Sequence, residues 1–273
     1  MNTRVRALII TSAVTLLAMG LFTWQASNDE ATLDLESGLV GGTGISILLF
    51  LGTLWVLFFK RRAQSFITVG LFPAIAILPY TVLAESVISS LFTGLRQLPL
   101  IVIAAAVFWL LTYLLILTAN VLNGSILFRI PLGQAGKASQ FIFSLIATYL
   151  WSAYLFSASS PLLVRVVIIA GSAFYFTYSA LWVAGVESKE LWQAALVVAL
   201  LLAAMVVILS VWPITSVYAT LSLVIVFYTI LNVALEMREN LSAMVWFEHA
   251  ILILLVLIIL FTNASWGING TFV

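Results

Sequence analysis

Cysteine is absent from the 273 residues, histidine occurs once, and only 8% of positions are charged. The first absence removes disulfides, thiolate metal sites, iron-sulfur clusters and thiol nucleophiles together. The second leaves His249 without another imidazole in the chain, which argues against bis-histidine haem and most zinc sites. Charge is scarce and nearly balanced, eleven Lys and Arg against ten Asp and Glu. Neither nucleic acid nor an acidic partner is implied, and no basic patch is interleaved with aromatics. The P-loop, nucleophile-elbow and zincin patterns are missing as well. A retinal Schiff base needs a lysine inside a crossing, whereas Lys60, Lys137 and Lys189 all fall between apolar runs. No cofactor is expected.

What the chain has instead is hydrophobic residues, 64% of its length. They gather in runs close to the length of about 20 helical residues that a hydrocarbon core of about 30 Å requires. The runs are 5–24, 42–59, 65–92, 98–120, 139–157, 162–185, 191–211, 214–235 and 242–262. The expected fold is therefore all-α, a polytopic transmembrane helical bundle of nine crossings forming a single integral membrane domain over 1–273. Its direct partner is the lipid bilayer, and other membrane subunits are the further partners to consider. Run 65–92 would be about 42 Å long as one helix, and it contains Pro73 and Pro79. Each proline removes a backbone donor and crowds the preceding turn, so a bend or break is expected between them.

The first run follows Arg4 and Arg6 and has the layout of a signal peptide. Cleavage after Ala26 would set Trp24 where a small residue is wanted, so 1–26 is read as a retained first helix or uncleaved anchor. Residues 27–41 carry Asp29, Glu30, Asp34 and Glu36 and no base, the composition of an acidic external loop. With the N-terminus inside and the C-terminus outside, Arg4, Arg6, Lys60, Arg61, Arg62, Arg129, Lys137, Lys189 and Arg238 are cytoplasmic. Only Arg96 and Arg165 are then external, a positive-inside asymmetry that one crossing more or fewer would scramble. The expected location is a bacterial cytoplasmic membrane. Trp24, Trp182, Trp192, Trp212 and Trp246 stand near run ends, where an indole is favoured at headgroup level.

Polar residues within the crossings recur at helical spacing. Tyr218, Ser222, Thr229, Asn232 and Glu236 share one face of the eighth crossing, and Arg165, Ser172, Tyr175, Ser179 and Trp182 share one face of the sixth. Asn120, Asn123, Gln140, Ser144 and Thr148 mark the inner halves of the fourth and fifth, and the seventh is nearly uniformly aliphatic and expected to face lipid. The stripes either converge on a hydrated cavity open to the cytoplasm or pack helices through small residues and short hydrogen bonds. Intramembrane charge is costlier, about 2.5–3.5 kcal/mol at a helix centre, so Glu85, Arg165 and Glu248 are the charged candidates. Glu85 and Arg165 fall on the same predicted side, as an ion pair with Arg96 competing or as two independent snorkelling groups. Glu248 is the candidate to meet Asn232 and Glu236 of the preceding helix. His249 diverges from it by about 100° and reads as a satisfied polar residue. Tyr228, one turn before Asn232, completes the candidate set.

Three functions fit these features. Sparse chemistry and plentiful small-residue faces favour a non-enzymatic membrane scaffold or subunit of a membrane assembly. An inward polar cavity would instead serve a small-solute or lipid transporter. The third is an intramembrane enzyme for a lipid-linked substrate, using acids of the external loop, although such a loop is ordinarily acidic in any case.

Overall fold

The computed structural model describes residues 3–27, 35–57, 66–91, 98–128, 133–158, 160–186, 188–236 and 243–264. Among them nine helices are long and apolar enough to cross a membrane, and no strand occurs. They are α1 (Thr3–Ser27), α2 (Leu35–Leu57), α3 (Phe72–Leu91), α4 (Leu98–Phe128), α5 (Gly133–Ser157), α6 (Leu162–Ala184), α7 (Ser188–Val211), α8 (Ser216–Glu236) and α9 (Ala243–Asn263), with a π-helical turn at Phe66–Gly70. A helix satisfies its own backbone donors and acceptors, which hydrocarbon cannot do, and this makes each apolar run a helix. The protein is thus a polytopic, all-helical membrane protein. The acidic stretch expected to be loop is partly helical, since α2 already begins at Leu35. Asp29, Glu30 and Asp34 lie outside the described residues.

The third crossing is interrupted one turn earlier than expected. The π-turn ends at Gly70, Leu71 bends, and α3 runs on from Phe72 with Pro79 inside it. Pro73 explains the position. Its ring would clash with the carbonyl of Val69 and it has no N–H to give, so the disturbance falls in the turn preceding it, and the helix restarts with Pro73 in its first turn, where that N–H is dispensable.

The chain divides into two compact units, Met1–Ala147 and Thr148–Val273. In the first, α1 packs on α2 and α4, and α3 packs on α2 and α4. Glycines set the closest approaches. A Cβ on Gly52 would lie 2.5 Å from Ile10 Cγ2, one on Gly41 2.8 Å from Leu21 Cδ2, and one on Gly42 2.6 Å from Thr81 Oγ1. As the α1 number rises the α2 number falls, so α1 and α2 run antiparallel with glycine admitting the partner side chain at both levels. Arg6 lies over the Trp55 ring at 5.4 Å on the same pair. Polar bonds join the other helices, from Trp109 Nε1 to Ser12 Oγ at 3.3 Å and from the Tyr80 hydroxyl to the Ala104 carbonyl at 2.8 Å.

In the second unit α6 and α7 pack along their length, α8 packs on both, and α9 packs on α8. α6 ends in a Schellman motif. Gly185 takes φ 85°, a left-handed conformation that glycine accepts without strain, and Gly185 and Val186 donate to the Trp182 and Leu181 carbonyls at 3.0 and 3.1 Å. The aliphatic α7 does not simply face lipid. Leu191, Ala195, Val198, Ala199, Leu202, Val206 and Leu209 form a buried face, while Leu196, Val197, Leu200, Leu201 and Ile208 are exposed. Lipid tails are as apolar as leucine, so the packed face of a membrane helix carries no hydropathy mark.

Candidate functional site

The polar face of α8 is turned into its unit. Ser222 and Thr229 are buried, and Asn232 and Glu236 are half-buried at the end of the helix. The intervals of seven, three and four residues keep all four on one side. Thr229 Oγ1 donates to the Ile225 carbonyl at 2.8 Å. Thr220 and Ser222 of α8 and Thr177 of α6 have buried hydroxyl oxygens with no hydrogen-bond partner among the described residues.

The densest chemistry lies where α8 ends and α9 begins. Asn232 Nδ2 donates to Glu236 Oε1 at 3.1 Å, one helical turn along α8, and sits 3.4 Å from His249 Nε2 on α9. His249 is 2% exposed. Glu236 Oε2 is buried with no hydrogen-bond partner among the described residues. Which of the two groups donates across this contact depends on the imidazole tautomer. α8 and α9 pack on each other, and the contact sets residue 249 opposite residue 232.

Glu248 is not the residue that meets Asn232. It is exposed, and its neighbour His249 makes the contact. The phase of α9 decides this, because His249, Val256 and Leu260 form its buried face, while Ile251, Leu254, Leu255 and Ile258 are exposed. The spacing of seven and four is visible in the sequence, but nearly every position of α9 is apolar and no contrast marks that face. Tyr228 is half-buried one turn before Asn232 on α8.

The remaining candidates stand on other helices. Asn120 is half-buried on α4, in the first unit. Glu85 is within α3, but its side chain lies outside the described residues. Arg165 is occupied by the end of α5. Its Nε donates to Ser160 Oγ at 3.2 Å, its Nη2 donates to the Ala158 carbonyl at 3.3 Å, and the guanidinium lies 5.6 Å from the Phe156 ring centroid. A cation at a helix C-terminus meets carbonyls that have no intrahelical partner, and that is sufficient reason for an arginine here.

A groove of about 350 Å³ lies between α4 and α5, lined by Leu114, Leu117, Val121, Gly136, Ile142 and Phe143 among others. Its walls are mainly apolar, with Thr118 and Ser139 the polar residues in them, and Asn120, Asn123, Gln140 and Ser144 of the same helices are not among them. No group of three His, Asp or Glu side chains with metal-site geometry occurs among the described residues. Glu236 and His249 supply two such ligands at most, one fewer than the protein ligands of a usual catalytic zinc site. Comparison with protein-family models, curated proteins and solved structures finds no match.

Proposed function

We propose that this chain is a non-enzymatic membrane component, a scaffold or a subunit of a larger membrane assembly. The observation that carries the reading is that five hydroxyls within the crossings turn back on their own helix. Thr53, Ser144, Ser152 and Thr229 each donate to the carbonyl four residues earlier on their own helix, and Ser172 donates to the one three residues earlier. Hydroxyls folded back in this way let helices approach without presenting a continuous row of polar groups to a solute. The apolar groove between α4 and α5 and the glycine contacts of α2 agree with a body built for packing. α9 offers the surface for a partner, with Phe247, Leu254, Ile258 and Phe261 exposed.

Photocrosslinking residues placed singly at Leu254 and Ile258 test this in native membranes. One discrete crosslinked species of higher mass is expected from both positions. A monomer that crosslinks to lipid alone, and that accelerates solute flux when reconstituted into liposomes, would replace the scaffold with the transporter.

The orientation belongs to the same reading, with the α8–α9 connection cytoplasmic and the C-terminus external. Because the chain has no cysteine, single cysteines at Ser37, Asn240 and Asn269 are each unambiguous. An impermeant thiol reagent on intact cells should label positions 37 and 269 and spare 240. Labelling at 240 without 269 would invert the model.

A further inference from the structure

We infer that the groove between α4 and α5 binds one anionic phospholipid. An acyl chain fills the groove, the glycerol esters meet Thr118 and Ser139, and the headgroup lies at the Lys137 end. At about 350 Å³ the groove falls within the range of about 300–1,000 Å³ common to small-molecule sites. Its walls of Leu114, Leu117, Val121, Ile142 and Phe143 suit a hydrocarbon chain.

The two polar residues of the walls stand at one level. A Cβ on Gly136 would lie 2.8 Å from Leu122 Cδ2 and 3.3 Å from Val121 Cγ1. α4 ends at Phe128 and α5 begins at Gly133, so the two helices count in opposite directions away from that contact. Thr118 and Ser139 each follow three residues beyond it, and the groove separates them. Other hydroxyls of the crossings turn back on their own helix, as Ser144 of α5 does to the Gln140 carbonyl at 2.9 Å. Thr118 and Ser139 do not, and neither makes a hydrogen bond among the described residues. A hydroxyl left without an acceptor in hydrocarbon is costly. An ester carbonyl accepts and has no hydrogen to give, the complement of two donors.

Depth and charge select the lipid. The apolar span of α4, Leu98–Gly124, has 27 residues and is about 40 Å long against about 30 Å of hydrocarbon. Centred on the core, it extends about 5 Å beyond it at each end. Thr118 is about 9 Å short of Gly124, which sets it about 4 Å inside the boundary, near the level where acyl chains join glycerol. Residues 98–157 include Arg129 and Lys137 and no Asp or Glu. Arg129 lies outside the described residues, whereas Lys137 is exposed near the start of α5, next in sequence to Gly136 of the groove. An ammonium at that end, with no carboxylate on either helix, favours an anionic headgroup over a zwitterionic one. The site does not depend on the scaffold reading, since crosslinking from α9 can fail with the lipid still bound.

Native mass spectrometry of the full chain, titrated in detergent with dioleoyl phosphatidylglycerol or dioleoyl phosphatidylcholine, tests this with headgroup as the only difference. A saturable adduct of one lipid is expected, with phosphatidylglycerol favoured about fivefold. Lys137→Gln should remove that preference. Lys189→Gln, exposed on α7, should leave it unchanged. Ala135→Phe, at an exposed position in the groove wall, should abolish the adduct of both lipids by filling the groove. Thr118→Val combined with Ser139→Ala nearly keeps the volume and should weaken both lipids alike, about tenfold. Should Ala135→Phe fail to fold, this double variant still reads the groove. A ladder of adducts without saturation, equal binding of the two lipids, or a loss of preference in Lys189→Gln matching that in Lys137→Gln would each overturn the proposal. So would undiminished binding by the double variant.

Discussion

Gly52→Leu is expected to be among the most damaging single substitutions in the first unit, lowering stability by about 2–3 kcal/mol through overpacking. The added Cβ would stand 2.5 Å from Ile10 Cγ2, well inside van der Waals contact. Ile10 is β-branched and on a helix has one strongly favoured χ1, so it cannot swing aside, and α1 and α2 must separate. The milder Gly52→Ala separates sterics from propensity. Replacing glycine by alanine inside a helix is ordinarily favourable by about 0.5–1 kcal/mol. Gly44, on the same helix with nothing within 4 Å of its would-be Cβ, should show that gain. At Gly52 the sign should reverse, and Ile10→Ala should partly restore it by making room, a coupling that a double-mutant cycle reads. Thermal retention of folded protein in mild detergent is the measurement. Equal effects at positions 44 and 52 would mean that α1 and α2 do not meet there.

Asn232→Leu should cost about as much in the second unit, about 2–3 kcal/mol, for a different reason. It removes the donor to Glu236 Oε1 while Oε2 is already buried with no hydrogen-bond partner among the described residues, so the carboxylate loses its one hydrogen bond there. Leaving one member of a buried polar pair behind is costlier than removing both. Adding Glu236→Leu to Asn232→Leu should therefore recover most of the loss, although it deletes a second polar group. Glu248→Leu, at an exposed position, should stay within about 0.5 kcal/mol of the unmodified chain. A double variant less stable than Asn232→Leu alone would show that Glu236 is held by something other than Asn232.

These expectations differ in how far they could be read before the helices were packed. Asn232 and Glu236 stand out as polar residues one turn apart on an apolar helix, and a turn's spacing is sufficient to bring them into contact. His249 does not stand out, because its pairing with Asn232 depends on the rotation of α9 about its own axis. Glu248 is the more expensive residue to bury and draws attention on that ground, yet a rotation of about 100° per residue gives the inward position to its neighbour. Arg165 is similar. A lone intramembrane arginine suggests a carboxylate partner, whereas here the Ala158 carbonyl and the Ser160 hydroxyl, just past the end of α5, accept from it. Gly52 is one glycine among 15 in the sequence, and only the placement of Ile10 opposite it marks it as indispensable.

Run length and the positions of charge were sufficient to determine nine helical crossings, because backbone in hydrocarbon must bond to itself and charge is costly there, but not all of their ends, since α2 and α5 begin well before the apolar runs at 42 and 139 and α4 continues to Phe128. Proline placed the break in the third crossing only approximately, since the strain it creates is relieved in the preceding turn and not at the ring itself. Where a helix is apolar all round, which face turns inward was decided by tertiary structure alone. In water the buried face announces itself by being the apolar one. In a bilayer both faces are apolar, as α7 and α9 illustrate, and the choice is made by the fit of small residues against large ones and by a few hydrogen bonds that join one helix to the next.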